Sequence, residues 1–524
     1  SDVCSSDLFK KPFSHLSSAT ALLRALPKKT RKNPVLYAET TIDQLPQIQC
    51  WPNDGGAFVT LPQVYSEDID KPGVFGSNLG MYRVQISGNN YITNKEIGLH
   101  YQIHRGIGVH QTKASEQGKP LRVCVFVGGP PSHTLSAVMP LPEGIPEVAF
   151  AGALGKRRFR YTNVDGYTIS SDADFVITGE IYPGETKPEG PFGDHLGYYS
   201  LTHPFPVLKV HKVFHRKDAI WPFTVVGRPP QEDTQFGALI HDITGKAIPK
   251  EIPGLHEINA VDAAGVHPLL LAIGSERYTP YENKVKAQEV LTIANHILGT
   301  GQLSLAKYLF ITNKADDPEH NTHNIEEYFN HFLERVDWTR DAHFYTKTTI
   351  DTLDYSGSSL NNGSKVVFAA VGEQRRKLGK SITQSIETPP HFSDISFALN
   401  GIISCSGLKF TNHENAKKEV KAFASSIDSS LINEFPLIVI SDDHEFLGNT
   451  LNNFLWVTFT RSNPSTDIYG VDEFIEDKHW GCKGPLIIDA RIKPHHAPPL
   501  IPDPDIEKRV DQLSKEGNSL FGII

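Results

Sequence analysis

The chain is poor in the residues that would mark it as extracellular or membrane-spanning. Its five cysteines (Cys4, Cys50, Cys124, Cys405, Cys482) are odd in number and lack CxxC spacing, which fits a reducing compartment better than a disulfide framework. Hydrophobic residues make up 39% of the composition and mean hydropathy is −0.29; no apolar run approaches the roughly eighteen residues of a membrane-spanning helix. Basic blocks are also missing, and a formal net charge of −9 argues against a nucleic-acid backbone as the main partner. An anionic small molecule would need local positive groups. Methionine is scarce, only Met81 and Met139, and the opening SDVCSSDLFKK has neither an initiator Met nor a signal-peptide pattern. The expectation is a cytoplasmic protein whose chain lacks its true beginning.

Glycine and proline, 41 and 36 residues, are by contrast plentiful. The stretch that uses them most pointedly is Pro188 to Tyr199, PEGPFGDHLGYY. Gly190, Gly193 and Gly197 allow backbone paths that a side chain would forbid, and Pro191 restricts the turn further. Two carboxylates, Glu189 and Asp194, are thereby held on a turn. Taken alone, the stretch fits an ordinary surface loop as well as it fits a site.

Three regions follow from patterning. Residues up to 34 include a short helix, LSSATALLRALPKK, and carry no chemistry. From Val35 the chain is β-rich: WPNDGGAFVTLP turns tightly at Asp54-Gly55-Gly56, RVCVFVGGPP is a buried strand with Val123, Val125 and Val127 on one face, and further strands run over 174–182 and 206–216. Beyond Gly254 helix and strand alternate, as in VKAQEVLTIANHIL followed by KYLFIT.

Within the β-rich region, GSNLGMYRVQISGNNYITNKEIGLHYQIHRGIGVH (Gly76 to His110) reads as two neighbouring strands joined by a polar turn. Asn78, Arg83, His100, Gln102, Arg105 and Gly106 bring cationic and amide groups together with open backbone, which suits a phosphate or another anion; a plain polar hairpin is the alternative. His100, His104 and His110 have metal-ligand chemistry, but unaided histidines are more often surface or hydrogen-bonded groups. Glu147, in the apolar SAVMPLPEGIPEVAFAGAL, must either face solvent or meet a cation, because burying it unpaired costs several kcal/mol on the polar-burial scale, roughly. His320, His323, His495 and His496 lie in loops and read as surface groups.

The α/β region repeats itself. KYLFITN, a helix through Phe329, Phe332 and Leu333, VDWTRD and GSKVVFAA are followed by PLIVISD, a helix through Leu451, Phe454 and Leu455, RSNPSTD and GCKGPLIIDA. Tyr308 matches Leu437, Asp341 matches Asp467 and Val367 matches Ile487. Two unrelated α/β units of similar composition are the alternative.

With these residues laid out, the chain resembles the UbiD family of decarboxylases, which use prenylated FMN. The resemblance rests on GMYRVQ, LPEGIPEVAFAG, PEGPFGDHLGYYS and VVGRPPQED, in the family's order. It covers roughly residues 35–380 and resumes near Phe435, reaching DPDIEKRVDQL. Three departures stand out. The family's N-terminal domain is mostly missing, so a fragment is expected. Gly106 follows Arg105 where many members carry a metal-binding His, and this HRG pattern is that of the polyprenyl-hydroxybenzoate subgroup. A second C-terminal module is not typical of the short members.

The resemblance implies an α+β fold: a flavin-reductase-like split β-barrel cofactor domain over 35–253 after a remnant at 1–34, then an α/β C-terminal module at 254–380, to which the internal repeat adds a duplicate at 381–524. It implies that Asn78 and Glu147 bind Mn²⁺, with K⁺ a further candidate ion, next to the cofactor phosphate. Met81, Tyr82, Arg83, His100, Tyr101, Gln102, Arg105 and Gly106 would contact the prenylated flavin, and Lys365 would reach it. Arg83, Glu189 and Asp194 would form the acid-base network, with Asp194 or Glu189 as proton donor. The implied reaction is reversible, non-oxidative decarboxylation of an aromatic or unsaturated acid, with 4-hydroxy-3-polyprenylbenzoate of ubiquinone synthesis leading and a naphthoate or smaller phenolic acid open. Implied partners are a flavin prenyltransferase as cofactor supplier, further copies of the chain, and a membrane surface if the substrate is polyprenylated.

Loss of CO₂ leaves an electron pair on carbon that must be stored and then protonated, so such a site needs an electron sink and an acid. Two other classes remain. A flavin-dependent reductase could use the same phosphate site, but no GxGxxG nicotinamide fingerprint follows a strand. A non-catalytic scaffold could keep the fold, but the joint presence of Arg83, Glu189 and Asp194 counts against it.

Overall fold

The computed structural model describes residues 16–101, 106–139, 141, 144–244, 251–278, 285–383 and 386–523. The protein divides into two compact units. The first runs to Asp194, resumes over Tyr199–Val226 and takes up the chain again from Leu500; the second combines His195–Tyr198 with Gly227–Pro499.

The first unit is built on a nine-stranded antiparallel sheet in the order Phe58–Val59, Arg83–Gln85, Glu96–His100, His203–His215, Phe175–Glu189, Leu121–Val127, Gln63–Glu67, Ser77–Gly80, with Ala38–Thr40 also paired to His203–His215. Only residues 81 and 82 separate Gly80, on the last strand of that order, from Arg83 on the second. A trans peptide advances about 3.8 Å per residue, so the sheet must curl until its two ends approach. Strand alternation supplies a core on each face. Leu121, Val123, Val125 and Val127 join Val64, Val84, Leu99 and Ile177 on one side, while Cys124 and Phe126 join Tyr65, Leu79, Val176 and Phe214 on the other. The first side is covered by helix Gly106–Glu116 through Ile107 and Ala114. Helices Pro131–Val138 and Glu147–Leu154 cover the second through Ala137, Val148 and Ala151.

The second unit holds two five-stranded sheets. One runs Leu255–Ala260, Leu269–Gly274, Tyr308–Asn313, Gly363–Ala370, Ala342–Thr348; the other runs Ser396–Leu399, Ile402–Ser406, Leu437–Ser441, Leu486–Asp489, Ile468–Gly470. In both, the pairings along the order are antiparallel, parallel, parallel, antiparallel. The equivalence extends to side chains. Asp341 accepts the amide of Asp337 at 2.8 Å, and Asp467 accepts that of Asn463 at 2.7 Å, each just before the antiparallel edge strand. The sheets also dock reciprocally. Trp338 Nε1 donates to Pro436 O at 2.8 Å, while Asn463 Oδ1 accepts from Ser364 N at 3.0 Å and from Ser364 Oγ at 2.7 Å. Strand residues Phe310, Phe368 and Ile488 share one apolar core with the helical residues Phe332, Phe454 and Phe459.

Two boundaries differ from the sequence expectation. The first unit ends at Val226 rather than 253, because Trp51 Nε1 donates to Val226 O while Arg228 already lies 4.3 Å from the Trp456 ring centroid and donates to Asn453 Oδ1. The last residues, from Leu500, group with the first unit rather than with the second sheet. His320 is also not a surface group. It is buried, its ring stacked 3.9 Å from that of His331 and 4.9 Å from Tyr328. His323 and His495 are exposed, as expected.

Candidate active site

Three strands of the curled sheet bring the candidate residues together. Arg83 and His100 are direct partners across the antiparallel pair Arg83–Gln85 and Glu96–His100, so their side chains share one face. Glu189 ends strand Phe175–Glu189 opposite His203. The chain then turns through Gly190, at φ 88°, a value open to glycine at little cost. The short pair Phe192–Gly193 and Tyr199–Ser200 closes the turn and carries Asp194.

Arg83 is the hub. Its Nε donates to Glu189 Oε1 at 2.8 Å and NH2 donates to Glu189 Oε2 at 2.5 Å, while NH1 donates to Asp194 Oδ2 at 3.0 Å and to Ser200 Oγ at 2.7 Å. NH2 also donates to His100 Nδ1 at 2.5 Å, which puts the ring proton on Nε2. Phe192 lies 5.0 Å from the guanidinium carbon, within cation–π range, and Phe205 stacks on His100 at 3.8 Å.

The electrostatics follow from burial and this hub. Burial alone would raise the Glu189 carboxyl, which is fully inaccessible, but the Arg83 charge and the two Arg83 hydrogen bonds outweigh it and hold the group below its ordinary range. Burial, then the Arg83 charge, pushes the His100 imidazole down, against the pull of Glu189 and Asp194. The site therefore holds an anionic Glu189, a permanent cation and a neutral imidazole. Asp194 meets Arg83 through one nitrogen, whereas Glu189 occupies two.

A second cluster surrounds strand Ser77–Gly80. Asn78 Nδ2 donates to Tyr82 Oη at 3.2 Å. Glu147, the first residue of helix Glu147–Leu154, accepts the amide of Leu79, the residue after Asn78, at 3.0 Å. Burial raises the Glu147 carboxyl, and no cation pairs with it among the described residues. Gly106 opens its helix against Asn78, where an added Cβ would lie 2.0 Å from Oδ1. A side chain at 106 would thus displace the Asn78 amide. Hard oxygen donors beside a helix N-terminus suit a divalent ion and a phosphate, so these residues fit the metal and cofactor phosphate that the resemblance implied, although no group of three His, Cys, Asp or Glu is assembled among the described residues.

Other candidates are placed differently. Met81 packs against the second-face core, its amide bonded to Ala137 O at 2.9 Å. Tyr82 and Tyr101 have ring centroids 5.8 Å apart, and Tyr101 Oη donates to Gln111 Oε1 at 2.6 Å. Lys365 belongs to the second unit, where Nζ donates to Ser304 O at 2.6 Å and to Ala306 O at 2.9 Å. Gln102 and Arg105 lie outside the described residues. Ser200, Phe192 and Phe205 were not anticipated. Their membership depends on strand pairing across the turn, which leaves no motif of its own.

The UbiD family model, described as the 3-octaprenyl-4-hydroxybenzoate carboxy-lyase Rift-related domain, matches residues 26–229, and the model of the same carboxy-lyase's C-terminal domain matches residues 234–370. A Chlamydia pneumoniae protein named as a subunit of 4-hydroxybenzoate decarboxylase is 36% identical over 514 residues, covering 97% of this chain and 81% of its own. An uncharacterized Archaeoglobus fulgidus protein is 33% identical over 355 residues, 67% of this chain and 69% of its own. Among solved structures, the vanillic acid decarboxylase of Sedimentibacter hydroxybenzoicus in closed form aligns with TM-score 0.58 at 22% identity, covering 72% of this chain and 79% of that one. HmfF from Pelotomaculum thermopropionicum, a UbiD-class enzyme in complex with FMN, aligns with TM-score 0.54 at 19% identity over 68% and 76%. These structural likenesses concern the fold.

Proposed function

The chain belongs to the UbiD family and is a carboxy-lyase; from that premise we propose that it removes CO₂ from a hydroxylated aromatic acid, non-oxidatively and reversibly, with prenylated FMN as cofactor. The observation that carries the reading is the Arg83 hub, which joins two carboxylates and a neutral imidazole in one buried cluster. When bound, prenylated FMN supplies the electron sink that no amino-acid side chain offers. Asn78 and Glu147 would hold Mn²⁺, with K⁺ as a second ion, at the phosphate end, beside Gly106. Met81, Tyr82, Arg83, His100, Tyr101, Gln102 and Arg105 would line the flavin.

The chain's own part is orientation and proton delivery. Arg83 draws the substrate carboxylate by charge while Glu189 keeps its guanidinium in plane. As the C–C bond to the carboxylate breaks, its electron pair is left on carbon. Asp194 takes up a proton from water and gives it to that carbon. Glu189 is the weaker candidate for donor, because both its oxygens are already occupied by Arg83.

The name of the chlamydial relative supports 4-hydroxybenzoate-type substrates, and the HRG pattern supports a 4-hydroxy-3-polyprenylbenzoate of ubiquinone synthesis within that class. We read the curled sheet as the flavin-reductase-like split barrel, and the matched strand orders and reciprocal docking of the second unit as a duplicated module. A flavin prenyltransferase would supply the cofactor, copies of the chain would assemble as a homo-oligomer, and a polyprenylated substrate would bring a cytoplasmic protein to the membrane surface. No helix among the described residues is long and apolar enough to cross a membrane.

The test is co-expression with a flavin prenyltransferase, followed by CO₂ release from 4-hydroxybenzoate, vanillate, a naphthoate and a prenylated 4-hydroxybenzoate. Release from one of these, dependent on the prenylated cofactor, supports the reading. Bound flavin that oxidises a nicotinamide and releases no CO₂ would turn it to a reductase, and no flavin binding at all to a scaffold.

A further inference from the structure

Asp54 sits in the DGG turn of residues 50–58, remote in sequence from Arg83, Glu189 and Asp194, and is 7% exposed. Three backbone amides converge on its carboxylate. Oδ2 accepts from Cys50 N at 3.1 Å and Trp51 N at 2.9 Å, and Oδ1 accepts from Gly193 N at 2.8 Å. The last of these belongs to the residue immediately before Asp194.

The rest of the turn follows the same path. Gly55 N donates to Pro191 O at 2.7 Å, Asn53 N donates to Tyr199 Oη at 3.2 Å, and the rings of Phe58 and Phe192 lie 4.6 Å apart. Approach is backbone to backbone: a Cβ on Gly55 would fall 2.2 Å from Gly190 O, and one on Gly193 would fall 2.1 Å from the Trp51 ring. A carboxylate is needed at position 54 because only it offers acceptor oxygens on both sides; an amide would turn its NH₂ toward donors.

We propose that Asp54 is a positioning residue for the proton donor: by anchoring the Gly193 amide to the 50–51 backbone, it fixes the direction in which Asp194 leaves the turn. Arg83 then sets the carboxyl end of Asp194 and Asp54 sets its backbone end. This rests on the reading of Asp194 as the acid.

The test uses the full chain, loaded with prenylated FMN where activity is read, and the variants Asp54→Ala and Asp54→Asn. Amide hydrogen exchange is followed in peptides spanning residues 190–200, on cofactor-free and loaded protein. In Asp54→Ala the exchange of these peptides accelerates about tenfold or more, the scale of one lost hydrogen bond to a charged group, while exchange of the strand Leu121–Val127 is unchanged. Decarboxylation shows kcat reduced about 10- to 100-fold, the cost of a small misplacement, with KM and flavin absorbance little altered. Asp54→Asn, which keeps one acceptor for Gly193, lies between the two and also serves if the alanine variant does not fold. Unchanged exchange over 190–200 in both variants overturns the proposal. So does a loss of rate that appears entirely in KM or in lost flavin. If wild-type protein decarboxylates no acid, the proposed function fails, yet the exchange experiment still decides whether Asp54 holds the turn.

Discussion

Arg83 gives two nitrogens to one carboxylate, Nε to Glu189 Oε1 at 2.8 Å and NH2 to Oε2 at 2.5 Å, with Glu189 wholly buried. A planar fork is needed for this, since a lysine ammonium is a point charge that cannot span both oxygens and still reach Asp194 and Ser200. Arg83→Lys should therefore lower kcat/KM for decarboxylation by about 10²-fold or more, the range for a lost positioning and charge-stabilising contact. Arg83→Ala should in addition destabilise the first unit by roughly 3–5 kcal/mol, because Glu189 is left buried without its cation. Urea unfolding midpoints and CO₂ release check the two effects, and a lysine variant of full activity would show that the fork is not used.

Much of this site is readable before any coordinates, and the reason is local. PEGPFGD places its carboxylates by glycine and proline, and GMYRVQ places Arg83 by strand alternation, so the turn and the strand are each encoded within a few residues. The α/β strands KYLFIT and PLIVIS are legible for the same reason, as short apolar runs that become Tyr308–Asn313 and Leu437–Ser441. What escapes is everything set by a pairing partner. Asp54 reads as a turn residue because its partner Gly193 is remote in sequence, Ser200 depends on the register Phe192↔Ser200, and Lys365 looks available until its ammonium is seen on two carbonyls. His320 is buried by His331, which no loop composition could indicate.

Glu147 is the buried carboxylate beside Asn78, held by the Leu79 amide. Glu147→Gln keeps the shape and removes the charge, so Mn²⁺ affinity should fall by at least about tenfold, the scale of one lost charged oxygen ligand. Mn²⁺ titration followed by electron paramagnetic resonance, with FMN present and absent, measures this without turnover. Chelation of the metal should loosen FMN in wild-type protein and change little in the variant. Equal Mn²⁺ affinity in the two proteins would remove Glu147 from the ligand set.

The stacked pair His320 and His331 makes the second unit sensitive to acid. Burial pushes the imidazoles down to about 4 and about 3, and Nε2 of each is buried with no partner among the described residues. In the unfolded chain both take protons near pH 6.5, so the unfolded state binds more protons from there down to the folded values, and stability falls as pH drops through that window. The loss should be on the order of 2 kcal/mol per ring by pH 5. Asp341, pushed up to about 7 mainly by its burial, acts oppositely, losing stability as pH rises through that value; the comparison must therefore be between proteins. His320→Phe with His331→Phe keeps the stack without the protons, and its thermal midpoint should fall less than wild type between pH 6.5 and 5. Parallel curves would mean that the pair is protonated in the folded state at little cost.

Asp194→Asn separates the proposed acid from the proposed cradle. The amide can still accept from Arg83 NH1, at 3.0 Å in the native site, and the anchor of the turn at Gly193 is untouched, so the fold and the flavin end at Asn78, Gly106 and Glu147 should persist. What it cannot do is yield a proton to carbon. Removing a positioned proton donor typically costs about 10²- to 10⁴-fold in rate, and the loss should appear in kcat with flavin absorbance retained. Exchange of the decarboxylated product's ring hydrogen for deuterium in heavy water should slow in step with kcat, because both need the same carboxyl. Full turnover in the variant would pass the role to Glu189, whose two oxygens would then have to leave Arg83 during the reaction. Lost flavin would instead mean that the turn carrying Asp194 shapes the cofactor site and that its carboxylate is structural.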